Sequence, residues 1–286
     1  MAFKASNFKV RALSAIVFVI IMLAGLVWNQ WSFFVLFLAI QLGCLYEYQK
    51  LLALIYPSYK NISMVHQWGL LIVGCLMMMT LGPADLNIFG MSMKYIGSRA
   101  LPLVLGLMLV VDIFSKKIQL QNWAISFAGL VYIPMGLSLF FQLKSFMTTT
   151  YYENWTFSIP LLLIVAIWVN DTMAYLVGSV IGKTPLSPIS PNKTWEGTIA
   201  GVVLSVLIVS KGMALIVPIQ EKYIFYISFV ASIAGNFGDL LESKLKRLAG
   251  VKDSGSMMPG HGGFLDRFDS ILFATPFVWL ILHILF

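Results

Sequence analysis

Apolar runs long enough to cross a bilayer recur from the beginning of this sequence to its last residues, and that recurrence constrains the fold more than any other feature. The runs cover roughly 12–28, 31–55, 68–82, 101–114, 123–143, 158–181, 198–218, 223–241 and 270–286. A hydrocarbon core needs about 20 helical residues to cross it, and only helices or closed barrels satisfy every backbone polar group there. These runs predict an all-α, polytopic integral membrane helical bundle with about nine transmembrane helices. Hydrophobic residues make up 59% of the chain and charged residues 11%, against about a quarter charged in a soluble domain. No stretch is left for a separate soluble domain. The run 101–114 is short for a span, so it is either longer than hydropathy shows or re-entrant. Pro134 is expected to kink the fifth span, because proline removes a backbone donor.

The basic start, with Lys4, Lys9 and Arg11 before an apolar run, has the outline of a signal peptide. A second apolar run begins at Trp31 with no small-residue cleavage site before it, so the pair reads as a retained helical hairpin. With the N-terminus inside, fourteen of the nineteen Lys and Arg fall in cytoplasmic segments and five outside. This bias predicts a multi-pass protein of the cell (inner, cytoplasmic) membrane, with a cytoplasmic N-terminus and an external C-terminus. There is no long basic arm of the kind that binds nucleic acid. Cys44 and Cys75 both lie in apolar runs, without metal or disulfide spacing, and read as packing residues.

Charge is concentrated late in the chain. The block from Gly238 to Ser270, GDLLESKLKRLAGVKDSGSMMPGHGGFLDRFDS, holds ten of the 31 Asp, Glu, Lys and Arg residues. Residues 1–150 therefore read as membrane helices for packing and lipid contact, with room for a homodimer face, and 151–286 as the catalytic region. Asp239, Glu242, Ser243, Lys246 and Arg247 share one helical face by their spacing. A solvated helix end accounts for Lys244 and equally for Glu242. Asp239 sits inside the end of a span. Asp266 and Asp269 lie three apart at the start of the last helix, and with Asp239 they offer the oxygen ligands that Mg²⁺ takes. The turn Pro259-Gly260-His261-Gly262-Gly263 has bare amides suited to phosphate oxygens. His261 reads as a turn or interface residue ahead of a catalyst, though imidazole suits either role.

Two earlier features belong with this block. Asp171 lies mid-span, where a carboxylate needs a partner or a wet cavity, and Tyr175 and Gly178 share its face. A structural pair with a lysine is the other reading. The loop Gly182 to Thr198 brings Lys183, Lys193 and Glu196 among serines, threonines and prolines. It reads as a phosphate site or as an ordinary interhelical loop, and Glu196 as a helix cap after Thr194.

The stretch from Ser243 to Asp269, SKLKRLAGVKDSGSMMPGHGGFLDRFD, resembles the signature of phosphatidate cytidylyltransferases (CDP-diacylglycerol synthases). The segments DTMAY (171–175), SPNKTWEG (190–197) and GDLLES (238–243) resemble the family's other shared segments. Together they cover the C-terminal 40% or so of the chain. The resemblance implies transfer of a cytidylyl group from CTP to phosphatidic acid, giving CDP-diacylglycerol and diphosphate. It implies Mg²⁺, with room for a second metal or a monovalent ion, and a polar cavity open to the cytoplasm and to membrane lipid. It carries metal binding onto Asp239 and Asp266, with Asp269 adjacent, and makes Lys193 and Ser243 phosphate or nucleotide contacts. Ser190, Asn192, Lys246, Arg247, Lys252, His261, Gly262, Gly263, Arg267, Asp171 and Tyr175 complete the candidate substrate-binding set. The rival readings are a CTP-dependent lipid kinase, which would transfer the γ-phosphate, and a transporter with a midplane cavity.

Overall fold

The computed structural model describes residues 5–82, 86–115, 119–145, 158–217, 219–257 and 262–285. His261 with the turn residues Pro259 and Gly260, and Lys4, Lys116 and Lys117 from the charge count, lie outside the described residues, as do the side chains of Lys9 and Arg11. The helices are α1 (Ala5–Val27), α2 (Gln30–Ile55), α3 (Pro57–Lys60), α4 (Met64–Leu81), α5 (Met93–Phe114), α6 (Leu120–Leu130), α7 (Gly136–Ser145), α8 (Ser158–Ile181), α9 (Trp195–Ala214), α10 (Glu221–Leu248) and α11 (Leu265–Leu285). Two small antiparallel hairpins interrupt them: β1 (Asn87–Ile88) with β2 (Met91–Ser92), and β3 (Pro185–Ser187) with β4 (Ser190–Thr194). Among the described residues, eight helical segments are long and apolar enough to cross a membrane, α6 and α7 counting as one, and Ser14–Val27 adds a shorter apolar stretch. The chain is a polytopic helical membrane protein, and the expectation of about nine spans is close to this.

Two compact units emerge from the packing, one of residues 1–138 with 248–268 and one of residues 139–247 with 269–286. In the first, the apolar run at 101–114 proves to be the second half of a 22-residue helix, α5. Hydropathy misses the first half because it carries Lys94 and Arg99. Packing supplies what hydropathy lacks. A Cβ at Gly97 would sit 2.7 Å from the backbone nitrogen of Thr80, so α5 lies directly against the end of α4. Pro134 does not simply kink its span. It sits in a π-helical turn, Val131–Met135, that joins α6 to α7, and such a turn absorbs the extra bulk and the lost donor of a proline.

A buried polar cluster ties the same unit together. His66 Nδ1 lies 2.6 Å from Asp112 Oδ2, its Nε2 lies 2.9 Å from Ser126 Oγ, and Ser126 Oγ lies 3.1 Å from the Tyr59 hydroxyl. His66 is fully buried and Asp112 nearly so. Burial pushes the Tyr59 phenol up to about 12, so it stays a neutral hydrogen-bonding group at physiological pH. The four side chains come from α3, α4, α5 and α6 and cross-link them, so that each buried polar group has a partner.

In the second unit, α8 and α9 approach backbone to backbone. A Cβ at Gly197 would fall 2.6 Å from Ala174 O and 2.9 Å from Gly178 Cα, and one at Gly201 would fall 2.8 Å from Asn170 O. Small residues at the crossing are what membrane helices use to come this close. Ser205 Oγ then donates to Ala166 O (2.8 Å), Ser232 Oγ to Ser205 Oγ (3.2 Å), and Asn236 Nδ2 to Asn170 Oδ1 (3.4 Å), which joins α10 to the pair.

Candidate active site

Three local arrangements in the second unit build one site. The first is α8, where Asp171, Tyr175 and Gly178 share a face and all line a cavity of about 440 Å³. Asn170 Nδ2 donates to Asp171 Oδ1 at 3.1 Å. Asp171 therefore lines a cavity beside a polar partner, in keeping with one of the two readings of it.

The second is the β3–β4 hairpin, which brings Ser190, Asn192 and Lys193 to the same cavity. Glu196 holds its base. Its carboxylate accepts from the amides of Lys183 and Thr184, each at 3.2 Å, and from Thr184 Oγ1 at 2.8 Å. The capping expectation for Glu196 is thus corrected. Thr194 is the N-cap of α9, accepting from the Gly197 amide, and Glu196 reaches back to fasten the hairpin instead. The hairpin is fixed at both ends before any ligand binds.

The third is the meeting of α10 and α11. A Cβ at Gly238 would fall 2.5 Å from Asp269 O and 3.0 Å from Ser270 Cα, so only glycine lets the two backbones touch. That contact places Asp239 and Glu242, one helical turn apart on α10, beside Asp269 on α11. One carboxylate oxygen from each of the three lies within 4.8 Å of the other two. Lys193 pairs with Asp239 and Lys246 with Glu242. Ser243 Oγ lies 3.5 Å from Asp239 Oδ1, and Asp269 Oδ1 accepts from the Ser270 amide at 2.7 Å.

Glu242 is a correction to the reading of a solvated helix end. It is fully buried, and it joins Asp239 and Asp269 as a third carboxylate. Its spacing from Asp239 shows the shared face in the sequence. Its Glu-to-Lys i, i+4 pairing is equally usual on a solvated helix, which is why sequence alone does not separate the two.

The remaining candidates divide between the units. Arg247 ends α10 in the second unit and is exposed. Lys252, Gly262, Gly263, Asp266 and Arg267 belong to the first unit, where Lys252 and Arg267 are exposed. Asp266 Oδ2 accepts from the Ser254 amide at 2.9 Å and the Gly263 amide at 2.7 Å. The Gly263 amide thus serves a carboxylate here, and Gly262 takes φ 84°, a backbone conformation that suits glycine.

The donor set suits a hard divalent cation. Opposite oxygen ligands of Mg²⁺ stand about 4.2 Å apart, at 2.0–2.1 Å from the ion each, and the three carboxylates fall within 4.8 Å before any adjustment. Lysines at two of them now balance the charge that a cation would.

The model of the cytidylyltransferase family matches residues 9–285. The chain belongs to the cytidylyltransferase family. It is similar to a phosphatidate cytidylyltransferase of Bacillus subtilis (strain 168), 48% identical over 120 residues, 41% of this chain and 45% of the relative. The like-named protein of Helicobacter pylori (strain ATCC 700392 / 26695) is 46% identical over 124 residues, 43% of this chain and 46% of the relative. That of Staphylococcus aureus (strain COL) is 47% identical over 119 residues, 41% and 45%. The aligned stretch thus spans less than half the length of these relatives.

Proposed function

We propose that this chain is a phosphatidate cytidylyltransferase of the cell membrane, converting CTP and phosphatidic acid to CDP-diacylglycerol and diphosphate with Mg²⁺. The observation that carries the reading is the convergence of Lys193, Asp239, Glu242 and Asp269 at one polar site beside a 440 Å³ cavity. That volume falls within the ~300–1,000 Å³ of small-molecule sites.

Asp239 and Asp269, with Glu242 beside them, would hold the cation, and Asp266 in the first turn of α11 joins them as a proposed ligand. Bound there, Mg²⁺ would neutralise charge on the phosphates and orient them. The rest is the work of side chains. Phosphatidate's phosphomonoester is largely doubly ionised at neutral pH, with a second pKa near 6, so little general-base help is needed. The barrier is repulsion between two anions as that oxygen approaches the α-phosphorus. Lys193, which sits beside Asp239, would offer the phosphates a point charge. Ser190, Asn192 and Ser243 supply hydrogen bonds that fix their orientation. Tyr175 is 75% exposed and offers a ring face on which the cytosine can stack. Asp171, at the cavity wall, accepts from Asn170 and so orders it. Lys246, Arg247, Lys252 and Arg267, with Gly262, Gly263 and His261, are proposed contacts to phosphate or headgroup. In this scheme residues 151–286 form the catalytic region, working from the cytoplasmic side where CTP is.

The test is purified protein with phosphatidic acid, Mg²⁺ and CTP labelled at either the α or the γ position. Cytidylyl transfer sends the α label into lipid and the γ label into diphosphate. Label from the γ position in the lipid fraction would overturn the reading and identify a lipid kinase.

A further inference from the structure

Glu47 is the one carboxylate of the mostly apolar helix α2, which also carries Gln41, Gln49 and Lys50, and it is 5% exposed. Among the described residues, its side-chain hydrogen bonds run to partners more than 200 positions away. Glu47 Oε1 accepts from the Phe264 amide at 3.0 Å, and Oε2 accepts from the Leu265 amide at 2.8 Å and Ser254 Oγ at 2.7 Å. Those two amides open α11, where a helix leaves its first donors without partners inside the helix. The N-cap of α11 is therefore supplied by a side chain from α2, and its negative charge sits at the favourable end of the helix dipole.

The surrounding chain is shaped to that carboxylate. A Cβ at Gly255 or at Gly263 would collide with the Glu47 carboxylate, and one at Gly43, a turn earlier on α2, would collide with the Phe264 ring. Phe268 completes the seat by meeting Phe18 edge-on at 6.0 Å. Two glycines of the polar block are thus accounted for by the approach of Glu47.

A second carboxylate shares this network. Ser254 Oγ also lies 3.0 Å from Asp266 Oδ2, the oxygen that accepts from the amides of Ser254 and Gly263. One hydroxyl carries one proton, so Ser254 cannot fully serve both carboxylates. Glu47 is the nearer partner of that hydroxyl, and the two amides that donate to Asp266 belong to Ser254, which Glu47 binds, and to Gly263, which precedes the amides it caps.

We infer that Glu47 is a positioning residue. It anchors Ser254, Phe264 and Leu265, and so sets the orientation of the Asp266 carboxylate for cation binding. The inference rests on the proposed role of Asp266 as a metal ligand. Residues that orient a ligand typically change metal affinity or activity by about 10- to 100-fold when altered.

The experiment compares full-length wild type, Glu47→Gln and Ser254→Ala in nanodiscs, with exposed Glu221→Gln as control. Amide exchange is read by mass spectrometry, metal binding by titration with Mn²⁺, and transfer by the α-label assay. Glu47→Gln keeps the volume but replaces an acceptor oxygen with a donor. It is expected to speed exchange of the 254 and 263–265 amides at least tenfold and to weaken Mn²⁺ binding about tenfold. KM for CTP should stay within twofold. Ser254→Ala should weaken Mn²⁺ binding while leaving the 264 and 265 amides protected. If Glu47→Gln leaves local exchange and Mn²⁺ affinity at wild-type values, the inference is wrong. It is equally wrong if exchange rises throughout α2 and α4 while Mn²⁺ affinity is unchanged, since that marks general loosening. Exchange and Mn²⁺ binding need no turnover, so a wild type that failed to transfer the α label would sink the proposed reaction and leave this test standing.

Discussion

At the scale of single residues, the site is a balance of buried charge. Asp239, Glu242 and Asp269 would repel one another without Lys193 and Lys246, and a cation relieves the same repulsion. Asp239→Asn and Asp269→Asn each keep shape and remove charge. Each is expected to lower α-label transfer on the order of 100-fold, about 3 kcal/mol of lost charge stabilisation. The double variant should cost little more than either single one, because ligands of one site act as a unit. Asp266→Asn should behave likewise if its proposed role holds. Lys244 is exposed on the same helix, and Lys244→Ala should retain wild-type transfer. Glu242→Ala should fail differently, leaving Lys246 poorly paired at 13% side-chain exposure. Breaking a buried pair costs about 3–5 kcal/mol, so a lower melting temperature in detergent should accompany its loss of activity.

Among elements, close approach of helices decides geometry, and glycine decides close approach. Gly238→Ala would put a methyl 2.5 Å from Asp269 O, and α10 must move from α11 to admit it. Overpacking of this kind costs about 1–3 kcal/mol. The carboxylates ride on those backbones, so Mg²⁺ should have to be raised to restore transfer. Gly212→Ala on α9 is the contrast. Nothing lies within 4 Å of its Cβ, and alanine should stabilise the helix by up to about 1 kcal/mol. A melting curve and a Mg²⁺ titration on both variants distinguish packing from propensity. The His66 cluster lies in the other unit, so His66→Ala should lower the melting temperature by leaving Asp112 buried without its ring partner, with transfer per folded molecule retained.

For the molecule as a whole, the Lys and Arg bias fixes the expected orientation. A reporter fused after Phe286 should read as external, and one in the loop 182–197 as cytoplasmic. Glycosylation or cysteine-labelling reporters at both places check this. An external 182–197 loop would put Lys193 out of reach of cytoplasmic CTP and overturn the proposed reaction. Chelation should abolish transfer, and added Mg²⁺ should restore it without refolding, because α10 is set against α11 at Gly238 and against α8 by the Asn170–Asn236 contact.

The sequence by itself determined the class of solvent and most of the chemistry. Apolar runs of span length leave a helical bundle as the solution for a bilayer, and Asp171, Lys193, Asp239 and Asp269 are visible because polar groups are costly in lipid. The same rule applied to Glu47, Asp112 and His66 marks them too, but hydropathy averages single carboxylates away within long runs. Tertiary structure alone decided which of these meet. Glu242 became a third carboxylate because Gly238 lets α10 touch α11. Glu196 became a loop fastener because α8 and α9 pack backbone to backbone. Glu47 became the cap of a helix more than 200 residues away. Spacing along one helix is local and can be read from the chain. The approach of two helices depends on which small residues face each other across the contact, and that pairing exists only once the chain is folded.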